Sequence, residues 1–523
     1  MGPSADRGTL RAPWFCHRPV PIPRQPQSGT GGGRPGHVRL ARASDTRPLQ
    51  TREGHPAAAA AVVAAAVAGA VGPSGCARVV DGGARQATAG ARSGWGTPRA
   101  ALRAAGAARE VEAGADSDDV RVAQTDDGRG RCLVARCGVP AGGTVVTEHP
   151  LMVCRRGASS KALARQLQRL RPRHRRAFLD LAAEAWNRRA IAGSDGDGTE
   201  EQVARIVRTN GVGIPEDRIS VCRLVSRANH SCHPNAMLRP ELSGAVRIVA
   251  TRPIAEREEV LVSYLSGEDL LRPTAFRRER LRRGPWRFAC RCRRCEAPDR
   301  ARGMRCPACG GGPLLPPPPP PPVPAADVAA TAAAAAASQV PPGAWASCPS
   351  CGVPAPSAGE LEEAEGVWEY RLLKTQREGP GARGASQAAV ALHAELLSGR
   401  GPLPCPSPTC HWIGAEAAWT AMEAHLSSGR FLAASSAARQ LAAFVQYVRG
   451  DALTPIRAEA RAVRATSAIK AGMRWEAAGH HSRASRAKAV GRAHCELALA
   501  EASQLLGNSH EMVRWISSLR SRY

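Results

Sequence analysis

Apolar and polar positions alternate only in short bursts through the middle of this chain, and that rhythm predicts short strands. Val120-Arg121-Val122-Ala123 reads as a strand, Asp126 to Gly130 as a turn, and Arg131 to Arg136 as a second strand. Val139-Pro140-Ala141-Gly142-Gly143 then turns into a third strand, Thr144 to Glu148, rich in β-branched residues. Ile248-Val249-Ala250 and Val260-Leu261-Val262 are two more, joined by a turn over Arg252 to Glu259. The rhythm changes to helical spacing in Lys161–Leu170 and Arg175–Arg189, which gives a helical insertion over 155–209 with Asp195-Gly196-Asp197-Gly198 as a flexible turn. An arginine-rich helix is expected from Arg277 to Arg283. From Glu360 onward alanine-rich amphipathic helices follow one another, with breaks near Gly379, Gly399, Gly429, Pro455 and Gly507. Strands first and helices afterwards make the class α+β.

Composition sets the outer limits. At 523 residues the chain has room for several domains, but 52 glycines, 42 prolines and 4% aromatics leave much of it outside any core. Residues 1–117 are rich in Gly, Pro, Ser and Arg, and read as a disordered low-complexity or targeting region; an acid-poor, arginine-rich leader also suits an organelle transit segment. The Ala/Val run from Ala57 to Val71 would span only about 22 Å as a helix, against a hydrocarbon core of ~30 Å, so no membrane span is expected. The net charge of +27 is almost wholly arginine, with lysine only at Lys161, Lys374, Lys470 and Lys488. Spread over the whole length, it looks like compositional bias, and direct nucleic-acid binding is not expected.

The 17 cysteines change the picture, because seven of them fall in two short-spaced sets that suit a metal. Cys290-x-Cys292-x-x-Cys295 offers three thiolates, one short of a closed tetrahedron. Cys306-x-x-Cys309 and Cys348-x-x-Cys351 form paired knuckles of a zinc ribbon over 301–356, interrupted by a proline run (Pro316–Pro322) and an alanine run (Ala332–Ala337). Closing so long a loop costs only about 0.6 kcal/mol per doubling of length, so the interruption is tolerable. Cys405, Cys410, His411 and His425 make a poorer third set, better read as core or surface residues. Such spacings in a long chain indicate a reduced compartment, here nucleus and/or cytoplasm.

Between Ser226 and Cys295 stand the heptad Asn229-His230-Ser231-Cys232-His233-Pro234-Asn235, the tyrosine of Val262-Ser263-Tyr264-Leu265, and the tail Phe288-Ala289-Cys290-Arg291-Cys292-Arg293-Arg294-Cys295. In this order they resemble the SET-domain protein lysine methyltransferases, with a post-SET zinc tail over 271–300. The tail spacing after an arginine-rich helix is similar to the SET-and-MYND branch. That branch carries a cysteine-dense MYND finger, yet no cysteine lies between Cys154 and Cys222, so the finger is absent. The resemblance implies a SET β-fold with a knot-like core over 118–270 and a helical, tetratricopeptide-like domain over 357–523. It also implies a chain that binds S-adenosylmethionine and structural zinc. At Arg257 the family has glycine, so that turn is expected to be distorted.

What the resemblance implies for single residues follows the motifs. Gly128-Arg129-Gly130 approaches the methionine moiety, Asn210 lies on a strand beside the cofactor (Thr209 to Ile214), and Asn229 and His230 contact it, with Ser226 close by. Cys232 supplies the fourth thiolate to Cys290, Cys292 and Cys295, with Arg291, Arg293 and Arg294 offsetting the site's negative charge. Tyr264 is the channel tyrosine and the catalytic candidate. Where the family has a second tyrosine this chain has Trp286, whose indole walls the channel, and Phe288 packs on the adenine side. Methyl transfer to a lysine needs a neutral amine, an in-line approach and exclusion of water, because the free ammonium has a pKa near 10.4. The expected partner is a protein with a target lysine, with a chromatin or chaperone-type partner on the helical domain. The rival expectations are a SET-fold scaffold without activity and a basic zinc protein that binds nucleic acid.

Overall fold

The computed structural model describes residues 109–110, 119–181, 200–319, 345–377, 383–399 and 404–522. The low-complexity region up to 108, the Ala57–Val71 run, the second half of the Arg175–Arg189 helix, the Asp195–Gly198 turn, the alanine run and the break at Gly379 lie outside them. Among the described residues no helix is long and apolar enough to cross a membrane.

Short strands pair locally into small sheets. Arg109–Glu110 (β1), Val120–Gln124 (β2) and Arg131–Ala135 (β3) form one antiparallel sheet, turning at Asp126–Gly130 as expected. Thr144–Glu148 (β4) pairs through Val246–Ala250 (β10) with Ala236–Pro240 (β9). Their residues Val122, Leu133, Val145, Val246 and Ile248 meet in one core, joined by Val260. Each such side chain, fully buried, contributes about 1.5–3 kcal/mol.

A second sheet, Met152–Arg155 (β5), Arg218–Val221 (β7) and Gly211–Ile214 (β6), carries the helical insertion. Ser160–Gln168 (α1), Pro172–Leu179 (α2) and Glu200–Asn210 (α3) bury Leu163, Leu167, Phe178, Val203 and Ile206 against Met152 and Val221. The structure corrects two sequence expectations here. The second helix begins at Pro172, not Arg175, because proline at the first helical position has no amide to leave unpaired. Thr209 and Asn210 belong to the end of α3, and the strand starts only at Gly211. A Cβ at Gly211 would stand 2.4 Å from the Val207 carbonyl oxygen, so only glycine permits this abrupt change from helix to strand.

The heptad enters as Asn229–His230 (β8), which runs parallel to Leu261–Val262 (β11). Asn235, fully buried, stitches the two segments together. Its amide donates to Glu259 O (2.8 Å) and Glu258 Oε1 (2.9 Å), and its Oδ1 accepts from the Leu261 amide (2.7 Å). Thr274–Arg283 (α4) and Arg293–Glu296 (α5) follow.

Arg302–Arg305 (β12) pairs with Pro313–Leu314 (β13), but also with Pro406–His411 (β14), so the ribbon and the later helices share a sheet. The remaining helices are Ala358–Arg377 (α6), Arg383–Ser398 (α7), Trp412–Ser427 (α8), Phe431–Arg449 (α9), Pro455–Ala477 (α10), His481–Leu506 (α11) and Glu511–Arg522 (α12), with breaks at Gly399, Gly429, Pro455 and Gly507 as expected. From α8 to α12 each packs on the next. Val249 of β10 shares a core with Ala458, Ala462 and Leu505, which seats these helices on the strand region.

Candidate functional site

Four aromatic rings gather where β11 ends. Tyr264 lies 5.0 Å from Trp286, 5.4 Å from His230 and 6.5 Å from Phe288 between ring centroids. Tyr264 as a whole is half-buried, but its hydroxyl sits deep, donating to the Ala228 carbonyl at 3.1 Å. Burial, then the Glu259 carboxylate, push the phenol up to about 12, so it stays protonated at neutral pH. The Trp286 indole N–H is committed to Thr209 O at 3.1 Å. It therefore walls this space and donates nothing into it.

His230 connects Tyr264 to the cysteines. Its Nδ1 accepts the Tyr264 backbone N–H at 3.0 Å, which leaves the proton on Nε2, 3.3 Å from Cys232 Sγ. Burial depresses this imidazole to about 4, consistent with the neutral tautomer.

Cys232, Cys290, Cys292 and Cys295 bring their sulfurs within 4.8 Å of one another, and Cys232 and Cys290 lie 4.0 Å apart. Zn–S bonds of about 2.3 Å at tetrahedral angles put sulfurs about 3.8 Å apart, so the four fit a zinc ion. Charge agrees. Arg277 reaches Cys295 Sγ at 3.7 Å, and Arg294 and Arg449 donate to Cys232 O at 3.0 and 3.2 Å. Buried Arg278 adds a fourth cation, donating to Cys290 O and Cys295 O at 3.1 Å each. Even with the buried Asp299 carboxylate, the surroundings are therefore net positive and suit the double negative charge of a zinc tetrathiolate. The expected charge partners are thereby corrected: Arg294 turns inward, but Arg291 and Arg293 are exposed. Arg277 and Arg449 take their places, and for Arg449, so distant in sequence, no local signal existed.

The second set is also assembled. Cys306 and Cys351 sulfurs are 3.7 Å apart, Cys309 and Cys348 3.6 Å, all four within 4.8 Å. The knuckles repeat each other. The Cys306 and Cys348 amides donate to Gly311 O and Val353 O, and the Gly310 and Gly352 amides donate back to Cys306 O and Cys348 O. The Gly311 and Ser350 amides donate to Cys309 Sγ and Cys348 Sγ at 3.4 Å each, which suits thiolate ligands. The poorer third set is not assembled: His411 caps α8 through Nδ1 and faces Glu365 Oε1 at 3.3 Å, and Cys405 lies in the helical core.

The other predicted residues divide. Gly128 (φ 76°) and Gly130 (φ 87°) shape the turn after β2, and nothing lies within 4 Å of a Cβ placed on Gly128. That open backbone fits close approach of a ligand. Arg129 grips both oxygens of Glu259 at 2.9 and 2.8 Å, and Asn229 donates to the same carboxylate at 3.0 Å. Glu259, not foreseen from sequence, is thus the hub of this face. The Ser226 hydroxyl is turned onto Cys222 O (2.5 Å), and the Asn210 amide holds Leu181 O (3.2 Å) and Ile206 O (3.1 Å).

One segment of the chain carries a family signature. Residues 130–265 match the SET domain. The chain carries a SET domain. No curated protein matches the chain. The SET family generally comprises lysine methyltransferases that use S-adenosylmethionine. The matched segment of this SET domain takes in Gly130, Asn210, Ser226, Asn229, His230, Cys232 and Tyr264; Gly128, Arg129, Trp286, Phe288 and the remaining cysteines lie beyond it.

Proposed function

We propose that this SET-domain protein is a protein lysine N-methyltransferase of the SET-and-MYND type without the finger, using S-adenosylmethionine and two structural zinc ions. The observation that carries the proposal is the Tyr264 hydroxyl, deep among Trp286, Phe288 and His230, with its proton directed at Ala228 O. S-adenosylmethionine, when bound, supplies a methyl group on a sulfonium. Gly128, Gly130, Asn229 and His230 are read as its contacts, with Arg129 acting through Glu259; Ser226 and Asn210 support the site from behind. Since the phenol donates to Ala228 O, its lone pairs remain to accept from a lysine amine. Its high pKa makes it an orienting group and not a base. Apolar walls disfavour the ammonium, so the amine is held neutral by desolvation. Zinc at Cys232, Cys290, Cys292 and Cys295 ties the tail to the heptad and keeps Trp286 and Phe288 over the pocket. The contact of 229–235 with 258–262 is read as the family's knot-like core.

The test is incubation of the full chain and its Tyr264→Phe variant with tritiated S-adenosylmethionine over a protein array. Label that appears with the native chain and fades in the variant supports the proposal. Calorimetric absence of cofactor binding favours the scaffold, a reading that Trp286 in place of a tyrosine keeps in view.

A further inference from the structure

From His149 to Leu179 the sequence contains no Asp or Glu. The structure folds the centre of that stretch into α1, a tight turn and α2, with Leu163, Leu167 and Phe178 inward. Lys161, Arg165, Arg169, Arg171, Arg173 and Arg176 are all exposed. Lys161, Arg165 and Arg169 recur every four residues and so form one stripe along α1. Arg175 locks the turn by donating to the Gln168 carbonyl, which fixes how the second helix adds Arg173 and Arg176. No carboxylate among the described residues pairs with these six cations; the nearest in sequence, Asp180, is held by Arg131 and Arg227 at 2.8 Å each.

We infer that the α1–α2 face docks the phosphate backbone of duplex nucleic acid. An acidic protein is the obvious competitor, and the composition of the face decides between them. Protein interfaces are anchored by buried aromatic or aliphatic side chains. Between Arg155 and Arg176 the exposed positions are Arg, Lys, Gly, Ser, Gln and Pro, with no exposed aliphatic or aromatic residue. A phosphate backbone requires only cations, and guanidinium forks suit its oxygens. The stripe from Lys161 to Arg169 runs about 12 Å, along which a duplex presents a phosphate charge every ~1.7 Å. With Gln166 committed to Val153 O, only Gln168 on the stripe offers an amide for base edges, so binding without sequence preference is expected. Arginines that look evenly spread in composition are here a local concentration beside the SET core. The inference stands whether or not the chain transfers methyl groups.

The test is fluorescence anisotropy of a labelled duplex DNA with the full chain, which also carries other arginines. Arg165→Gln/Arg169→Gln/Arg173→Gln is therefore compared with a charge-matched control on α11, Arg483→Gln/Arg486→Gln/Arg492→Gln. The α1–α2 variant is expected to bind about tenfold more weakly near physiological salt, with the log–log salt slope shallower by about 0.9 for each phosphate it no longer neutralises, while the control stays close to the native chain. Hydrogen exchange on the native chain, which depends on no variant, is expected to show duplex-induced protection over 160–179. Equal weakening in the two variants, protection elsewhere, or displacement of the duplex by polyglutamate at equal charge concentration would overturn the inference.

Discussion

The Arg449 guanidinium at the end of α9 donates to the carbonyl of Cys232 at 3.2 Å, across 217 residues of sequence. Cys232 places its sulfur in the first cysteine set and accepts a hydrogen bond from His230 Nε2, while His230 Nδ1 accepts one from the Tyr264 amide. The helical domain is therefore two residues removed from the catalytic candidate. Arg449→Met removes one of the two guanidinium donors to that carbonyl, leaving Arg294 alone on it, and takes a buried positive charge from beside the thiolates. It is expected to cost about 1.5–3 kcal/mol and to speed zinc release to a chelator. Arg439→Met, on an exposed position of the same helix, is the control. Equal release rates in the two variants would sever this link between domain and site.

Tyr264→Phe and Trp286→Phe separate chemistry from packing. Loss of the Tyr264 hydroxyl removes the orienting acceptor, and methyl transfer is expected to fall about 10²–10³-fold, the scale for one preorganised hydrogen-bond group. Trp286→Phe leaves Thr209 O without its donor and is expected to cost about 1 kcal/mol of stability, with a smaller effect on rate. Single-turnover rates and thermal melts together check this; the reverse ranking would place the chemistry at the indole.

How much of the fold and site can be read from sequence depends on how local the cause is. The strands at 120–123, 131–136 and 144–148 are legible because alternation and turn residues act within a few positions. The tail Cys290-x-Cys292-x-x-Cys295 and the two Cys-x-x-Cys knuckles are legible because metal ligands keep short spacings, whereas Cys232, 58 residues before Cys290, is placed with them only by the family resemblance. Asn210 is misplaced by the family resemblance, which puts it on a strand, because the switch from helix to strand depends on Gly211 meeting Val207 O, a steric fact of the folded backbone. The strand β14 is hidden by Pro406 and Pro408 inside an alanine-rich helical pattern; it forms because β12 offers it an edge. Glu259 as hub and Arg449 as charge partner depend on residues far apart in the chain, which periodicity cannot register.

The two cysteine sets are expected to hold one zinc each and to differ in consequence. Cys292→Ser opens the site that seats Trp286 and Phe288, so it should lose one zinc and, with it, cofactor binding. Cys351→Ser opens a ribbon packed on Met304, Leu314 and Leu361, away from Tyr264. It should lose one zinc and leave cofactor binding intact. Metal analysis beside calorimetry reads both; loss of cofactor binding in Cys351→Ser would contradict the division.

Glu459, on α10, is buried, and its Oε1 has no hydrogen-bond partner. Burial, then the carboxylates of Glu423 and Glu268, raise it to about 7. Between the ordinary carboxylate range and that value the folded chain keeps a proton that the unfolded chain has released. Stability is therefore expected to fall as pH rises from about 4.5 to about 7, and to lose nothing further from this group above it. Glu459→Gln supplies the neutral form permanently and is expected to gain up to about 3 kcal/mol at pH 8, with little change at pH 4. Denaturant midpoints at the two pH values check this, and a uniform shift at both would refute the assignment.

The turn at Arg257 is expected from sequence to be distorted for want of glycine, yet it closes with ordinary bonds. The Arg257 amide donates to Ala135 O at 2.9 Å and the Glu258 amide to Ala255 O at 3.1 Å. What the arginine carries is φ 64°, left-handed backbone that costs an L residue about 1–2 kcal/mol. Its side chain is 81% exposed, and its contact with Glu256 at 3.5 Å is a surface ion pair worth little. Arg257→Gly relieves the strain but gives the unfolded chain more freedom, which returns about 0.5–1 kcal/mol. The difference favours glycine by about 0.5–1 kcal/mol, read as a higher urea midpoint at unchanged slope. A lower midpoint would mean that the exposed arginine holds the turn through contacts stronger than its surface ion pair, and that its left-handed backbone is not the dominant cost.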